Sequence, residues 1–286
     1  MGSLKEIKSR IQTVKSTQKI TSAMKMISAA KLRKAEAMVS GFLPYQQRMN
    51  DILKNYLSSA EEVNSVFTRI RDVHNVAIVV FASNSSLCGN YNNVLIKRMQ
   101  QSIKTHRDVR KENILVFPIG KKVYQACMSL GINVAGVFDE YAEKPDFEKA
   151  DQLAGQLMKM FVDHEIDRVK VIYFHYVNKA VQKLAVDTFL PFELSYYGKG
   201  ELKADYIIEP SKEEVIETLI PLVQQLRIYA TMMDAYASEH AARTIAMQIA
   251  DDNADDLLED LSLEYNKTRQ QAITAELLDI VGGSFR

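Results

Sequence analysis

The sequence has no tryptophan and only two cysteines, Cys88 and Cys127, in 286 residues. Two thiols make neither a disulfide framework nor a zinc set, and they fit a reducing, intracellular setting. The five histidines, His74, His106, His164, His175 and His240, show no metal-ligand spacing. No run approaches the roughly 18 apolar residues that a membrane-spanning helix needs. The first ten residues, MGSLKEIKSR, lack the apolar core of a secretory signal. Gly2 is followed by Glu6 where a myristoylation motif needs Ser or Thr. Net charge is zero, which removes the electrostatic drive for nucleic-acid binding.

What is present is ordinary in amount and unusual in placement. Hydrophobic residues make up 47% and charged residues 25% of the chain, the balance of a soluble globular protein of one large or two ordinary domains. The zero net charge hides an asymmetry. Residues 1–58 carry eleven Lys or Arg against three Asp or Glu, and residues 211–286 carry six against fourteen. Nine bases and the single acid Glu6 lie within residues 1–34, while seven acids and no base lie between Asp251 and Glu264. Two ends of opposite sign on one chain are expected to attract each other.

Residues 1–58 read as helix. A seven-residue seam runs through Ile7, Val14, Thr21, Ser28, Ala35, Phe42, Met49 and Tyr56, flanked by Leu4, Ile11, Met24, Leu32, Met38, Tyr45 and Ile52. That is a coiled-coil repeat. Its small central members leave room for a close neighbour. Pro44 is expected to bend this helix without ending it, because the seam stays in phase beyond it. The stretch Lys19–Met38 is both apolar and basic on several sides, unlike a surface helix with one dry stripe.

Residues 211–286 mirror this pattern. Ser211 and Glu214 form a capping-box signature. An apolar series then follows at spacings of three and four: Val215, Leu219, Leu222, Leu226, Tyr229, Met233, Tyr236, His240, Met247, Ala254, Leu258, Leu261 and Tyr265. Pro221 is expected to divide a short helix from a very long one, and Gly282-Gly283-Ser284 to stop it. At 1.5 Å per residue the long helix extends about 90 Å, so it must project.

Between them, residues 74–210 alternate β-branched apolar runs with helical patterns at about 91–106, 121–130 and 146–164. Strands are expected at 75–83, 113–120, 132–141, 168–178 and 181–191, the last two as an antiparallel hairpin. The pattern implies a mostly parallel, Rossmann-like sheet flanked by helices. The fold class is therefore α/β, a long antiparallel coiled coil of the terminal helices with a central α/β domain. The domains are 1–58, 74–210 and 211–286.

Candidate chemistry in the central domain is weak. The turn SNSSLCGNYNN lacks the dinucleotide fingerprint, and PIGKKV has a Gly-Lys pair without the remainder of a phosphate loop. Cys88 has no nearby Arg or His in sequence to activate it, and reads as a small residue in a tight turn. No catalytic, cofactor-binding or metal-binding residue is assigned.

The segments IKSRIQTVKSTQKITSAMKMISAAKLRKA (7–35), SLCGNYN (86–92), SEHAARTIAMQIADDNA (238–254) and LSLEYNKTRQQAITAELLDIVGG (261–283) together resemble the gamma-subunit family of F-type ATP synthases. The resemblance covers essentially the whole chain in order and spacing. It implies a non-catalytic central stalk that turns inside the ring of alpha and beta subunits, coupling proton or sodium flow to ATP synthesis, or the reverse. It implies the epsilon subunit and the c-subunit ring as further partners, and no cofactor. It implies a peripheral position on the cytoplasmic face of a bacterial membrane, with no membrane insertion and no nucleic acid. By the same resemblance Met24, Lys25, Arg243, Arg269, Gln270 and Thr274 face the ring. The longer C-terminal helix is expected to overrun its partner, leaving an apolar tip of Ile273, Leu277, Leu278, Ile280 and Val281 as a bearing. Two other readings remain: an enzyme using Cys88 or the Gly120 turn, and a free-standing coiled-coil adaptor.

Overall fold

The computed structural model describes residues 4–59, 65–106, 109–193 and 211–284. Two long helices carry the chain's ends: α1, Leu4–Ser59, and α5, Lys212–Ser284. Between them lie β1 (Val76–Phe81), α2 (Tyr91–Thr105), β2 (Ile114–Ile119), α3 (Lys121–Leu130), α4 (Phe147–Val162), β3 (Arg168–Tyr176) and β4 (Gln182–Leu190). The chain divides into two compact units, one of residues 1–29 with 243–286 and one of residues 30–242.

In the larger unit the sheet order is β2-β1-β3-β4. β1 pairs in parallel with β2 and β3, and β3 pairs antiparallel with β4. Every residue of β1 is buried, as a central strand covered on both faces requires. Val76, Ile78, Val80 and Val116 pack under α2 and α3 through Leu95, Met99 and Val123. On the other face Val79, Phe81, Phe117 and Ile119 meet α4 through Leu153, Leu157 and Phe161, and α5 through Ile228, Met232 and Ala235. α1 joins α5 here in two patches. Leu32 and Ala35 lie against Ala237 and Ala241; Met49, Leu53 and Tyr56 lie against Ile216, Leu219, Ile220, Val223 and Leu226. As α1 ascends in number α5 descends, so the pair is antiparallel.

Four expectations differ from the structure. Residues 132–141 form no strand. Val116 N–H donates to the Asn133 carbonyl and Ala135 N–H to the Val116 carbonyl, which gives one bridge at Val134. The chain then turns away, because Phe138 and Tyr141 pack inward on Phe117 and each other. Pro221 does not divide α5, which runs through it. Proline removes one backbone donor, but Leu219, Ile220 and Val223 are anchored on both sides of it. Helix α5 also continues through Gly282 and Gly283 to Ser284; glycine lowers helix propensity but imposes no stop.

The fourth difference is in the seam. Ile7, Ser28, Ala35, Met49 and Tyr56 are buried, but the flanking Tyr45 and Ile52 are exposed and Leu53 takes the inner place. Past Pro44, which stays inside α1, the step from Met49 is four residues rather than three. Leu53 is fully buried in that cluster, so Leu53→Ala should cost about 2–5 kcal/mol. Thermal unfolding of the full chain checks this; an unchanged midpoint would mean that the α1–α5 seam is not packed there.

The Ser211 cap is present: its Oγ accepts from Glu214 N–H at 3.2 Å. Residue 210 and the rest of the 194–210 stretch lie outside the described residues.

Candidate functional site

The place where doubly wound sheets bind ligands is the crevice beyond the carboxyl ends of the strands, where strand order reverses. In this chain the reversal falls between β1 and β3, and α5 crosses it. Tyr91 O–H donates to the Ala235 carbonyl at 3.1 Å. Ser238 Oγ donates to the Phe174 carbonyl at 2.9 Å. Met232 and Ala235 are buried against the sheet. The crevice is filled by the chain's own helix.

The adjoining β2–α3 turn is equally committed. At the α3 N-terminus, Lys121 N–H is held by Asn84 Oδ1 at 3.0 Å and Lys122 N–H by the Ser83 carbonyl at 3.2 Å. Backbone donors that would cradle a phosphate are thus satisfied internally. Gly120 has φ +102°, and a Cβ there would lie 2.5 Å from the Ala82 carbonyl oxygen; its glycine serves backbone packing rather than ligand approach. Cys88 is buried; Asn92 Nδ2 donates to its Sγ at 3.1 Å, and Ser83 Oγ lies 3.7 Å from that sulfur. Cys127 is buried too, and burial pushes its thiol up to about 11, where it stays protonated and inert. Among the described residues no three His, Cys, Asp or Glu side chains cluster as a metal site, and no helix is long and apolar enough to cross a membrane.

The smaller unit has a different character. Its helix pair is joined by Gln18 Nε2 to Asp255 Oδ1 and by Lys25 Nζ to Asp251 Oδ2, each 2.6 Å, again antiparallel. Yet large apolar side chains lie outside the seam. Ile20, Met26 and Ile27 of α1 and Ile249, Leu257 and Leu263 of α5 are all exposed. At the end of α5, Ile273, Leu277, Leu278, Ile280 and Val281 are exposed together, from 45% to 69%. Interspersed with them are exposed Lys15, Lys19, Asp252, Asp255, Asp256, Glu259, Asp260 and Glu264. An apolar surface of this extent marks a binding surface, and covering each such side chain is worth about 1.5–3 kcal/mol.

The residues expected to face a ring fall into two groups. Arg269, Gln270 and Thr274 are exposed beside the apolar tip, Thr274 Oγ1 donating to the Gln270 carbonyl at 2.8 Å. Met24 and Lys25 are half-buried, Lys25 in the pair with Asp251, and Arg243 is only 5% exposed. Of the latter group, Lys25 is thus paired within the chain. The exposed Ile20, Met26, Ile27, Ile249, Leu257 and Leu263 were not singled out from sequence. Their signal was apolar residues off the seven-residue seam.

A family model described as ATP synthase matches residues 3–285. The ATP synthase gamma chain of Phocaeicola vulgatus is 49% identical over 99% of both chains; that of Bacteroides thetaiotaomicron is 48% identical over 100% of both. Among solved structures, a chain of the Euglena gracilis mitochondrial ATP synthase superposes with TM-score 0.67 over 99% of this chain and 93% of that one, at 20% identity. A chain of the Tetrahymena thermophila central stalk and c-ring assembly gives 0.58 over 81% and 99%, also at 20%. The fold is therefore one shared with chains of ATP synthase assemblies. The sequence relatives narrow this further: the chain belongs to the ATP synthase gamma-chain family. It is a rotor subunit of an F-type ATP synthase, and its role is structural.

Proposed function

We propose that the helix pair of residues 1–29 and 243–286 is the shaft that turns inside a ring of alpha and beta subunits, and that the sheet domain meets the epsilon subunit and the c-ring. Segments 1–58 and 211–286 supply the coiled coil and 74–210 the coupling to the ion-driven rotor, at the cytoplasmic face of the membrane. Proton or sodium flow turns the shaft, and its uneven surface drives each beta site through its states in turn.

The carrying observation is the exposed apolar surface of the helix pair. A shaft has to be wetted by neither water nor one fixed partner, so its contacts are many, shallow and apolar. Arg269, Gln270 and Thr274 supply the polar contacts beside the bearing tip of Ile273, Leu277, Ile280 and Val281. Lys25 acts at one remove, by holding the helices together through Asp251, while Met24 and Arg243 are the further candidates for ring contact.

Co-purification with alpha, beta, epsilon and c subunits tests the assembly. Removing residues 282–286 or changing Ile280→Ala should weaken assembly modestly while hydrolysis and ion pumping per assembled complex survive. Loss of both in assembled complexes would contradict a bearing role. Cys88→Ala should leave ATP hydrolysis by the complex within a few-fold of the unchanged protein, and complete loss in a normally assembled complex would reveal a chemical role for the thiol.

A further inference from the structure

The amino-terminal end of β3, opposite the plugged crevice, carries a group of cations that the rotor role does not use. Arg168 and Lys170 are two residues apart on one strand, so they share a face. It is the face of Ile172 and Phe174, which packs under α2. Tyr91 stacks on Phe174 with ring centroids 5.1 Å apart, and this fixes the register between helix and strand. As the crossover between parallel strands, α2 runs back against β3. Seven residues along α2 from Tyr91 is about 10 Å, and four residues back along β3 from Phe174 is about 13 Å. Arg98, on the same helix face as Tyr91 and Leu95, thereby comes over Lys170.

All three side chains are half-buried. Burial first, then Arg168 and then Arg98, lowers the Lys170 pKa from its ordinary value. Among the described residues no ion pair involves any of the three. Arg98 makes one 3.3 Å bond to the neutral Gln101. The adjacent carboxylate, Asp167, is buried and taken by the backbone N–H groups of His74 and Asn75, each at 2.9 Å. Asp187 lies on the opposite face with Tyr173. Thr188, paired with Lys170 across the strands, adds a hydroxyl.

Half-buried cations held together without a counter-charge are costly, and an anion among them repays that cost. Two guanidinium forks and an ammonium match a tetrahedral oxyanion better than a planar carboxylate. We propose that Arg98, Arg168 and Lys170 form a binding site for a phosphate-type oxyanion, either free phosphate or the phosphate of a lipid headgroup.

The test is titration of the full chain with inorganic phosphate at constant ionic strength, followed by 31P line broadening and by calorimetry. A parallel series uses vesicles of phosphatidylglycerol or of phosphatidylcholine. One saturable site is expected, weakened about tenfold or more in Arg98→Gln/Lys170→Gln, which is about 1.4 kcal/mol, and unchanged in Lys179→Gln on the hairpin turn. Phosphate binding alone identifies free phosphate as the ligand; phosphate binding together with the same loss of phosphatidylglycerol binding in the double variant identifies the headgroup. Binding that never saturates, or that survives the double change, overturns the site. So does capture of a glutamate-rich peptide that phosphate does not displace, which would make the surface a protein contact.

Discussion

Gly120→Val should leave little folded protein. The backbone at residue 120 has φ +102°, a region that residues with a Cβ rarely adopt, and the new Cβ would sit 2.5 Å from the Ala82 carbonyl oxygen and 3.1 Å from the Ser83 carbonyl carbon. Neither neighbour can move freely. Ala82 N–H is tied to the Ile119 carbonyl at 2.8 Å, and the Ser83 carbonyl accepts from Lys122. The two strands that would have to separate are β1 and β2, the centre of the domain. Backbone strain costs about 1–3 kcal/mol, and the clash adds to it, so a loss of about 4 kcal/mol or more is expected against a total stability of about 5–15. Circular dichroism and yield of soluble chain measure it. A variant that folds with an unshifted midpoint would mean that the turn adopts another conformation.

The second large effect concerns Lys25. Lys25→Asp sets a carboxylate against Asp251, whose side chain is 13% exposed while that of Lys25 is 25% exposed. An exposed pair is worth about 0–1 kcal/mol and breaking a buried one costs about 3–5; this partly buried pair should cost about 2, with repulsion added. The complex should lose most of its ATP-driven pumping. Exchanging the two charges, Lys25→Asp with Asp251→Lys, should restore most of it, because the pair is internal to the helix pair. Failure of the exchange to rescue, with the exchanged chain folded normally, would mean that Lys25 acts on the surrounding ring instead.

That distinction shows where sequence reasoning stops. The seam of Ile7, Ser28, Ala35, Met49 and Tyr56 was legible because burial in a coiled coil repeats every seven residues, and the partner series on α5 was legible for the same reason. The parallel core strands were legible from unbroken β-branched runs. Residues 132–141 read as strand because Val134, Val137 and Phe138 have strand propensity, but Val134 and Phe138 are half-buried by a folded-back loop and Val137 is exposed, which propensity does not distinguish. Pro221 read as a break because the local cost of proline is visible in sequence while the packing that offsets it is not. The basic residue Lys25 and its acidic partner Asp251 are 226 positions apart, so only the charge asymmetry of the two ends pointed to such a pair. The filling of the ligand crevice by α5 had no local signal at all, since it depends on where Ala235 and Ser238 arrive in space.

The central claim is that the chain turns as a shaft relative to its surroundings. The direct measurement fixes the alpha–beta ring of the assembled complex to a surface and attaches a probe to a cysteine placed at Lys179, an exposed residue of the β3–β4 turn, in a chain whose Cys88 and Cys127 remain buried. On adding ATP the probe should revolve continuously in one direction, and should stop when Leu263→Cys is cross-linked to a ring subunit and resume on reduction. A probe that stays fixed while ATP is hydrolysed at the full rate, or hydrolysis and pumping that continue unchanged through the cross-link, would contradict the account.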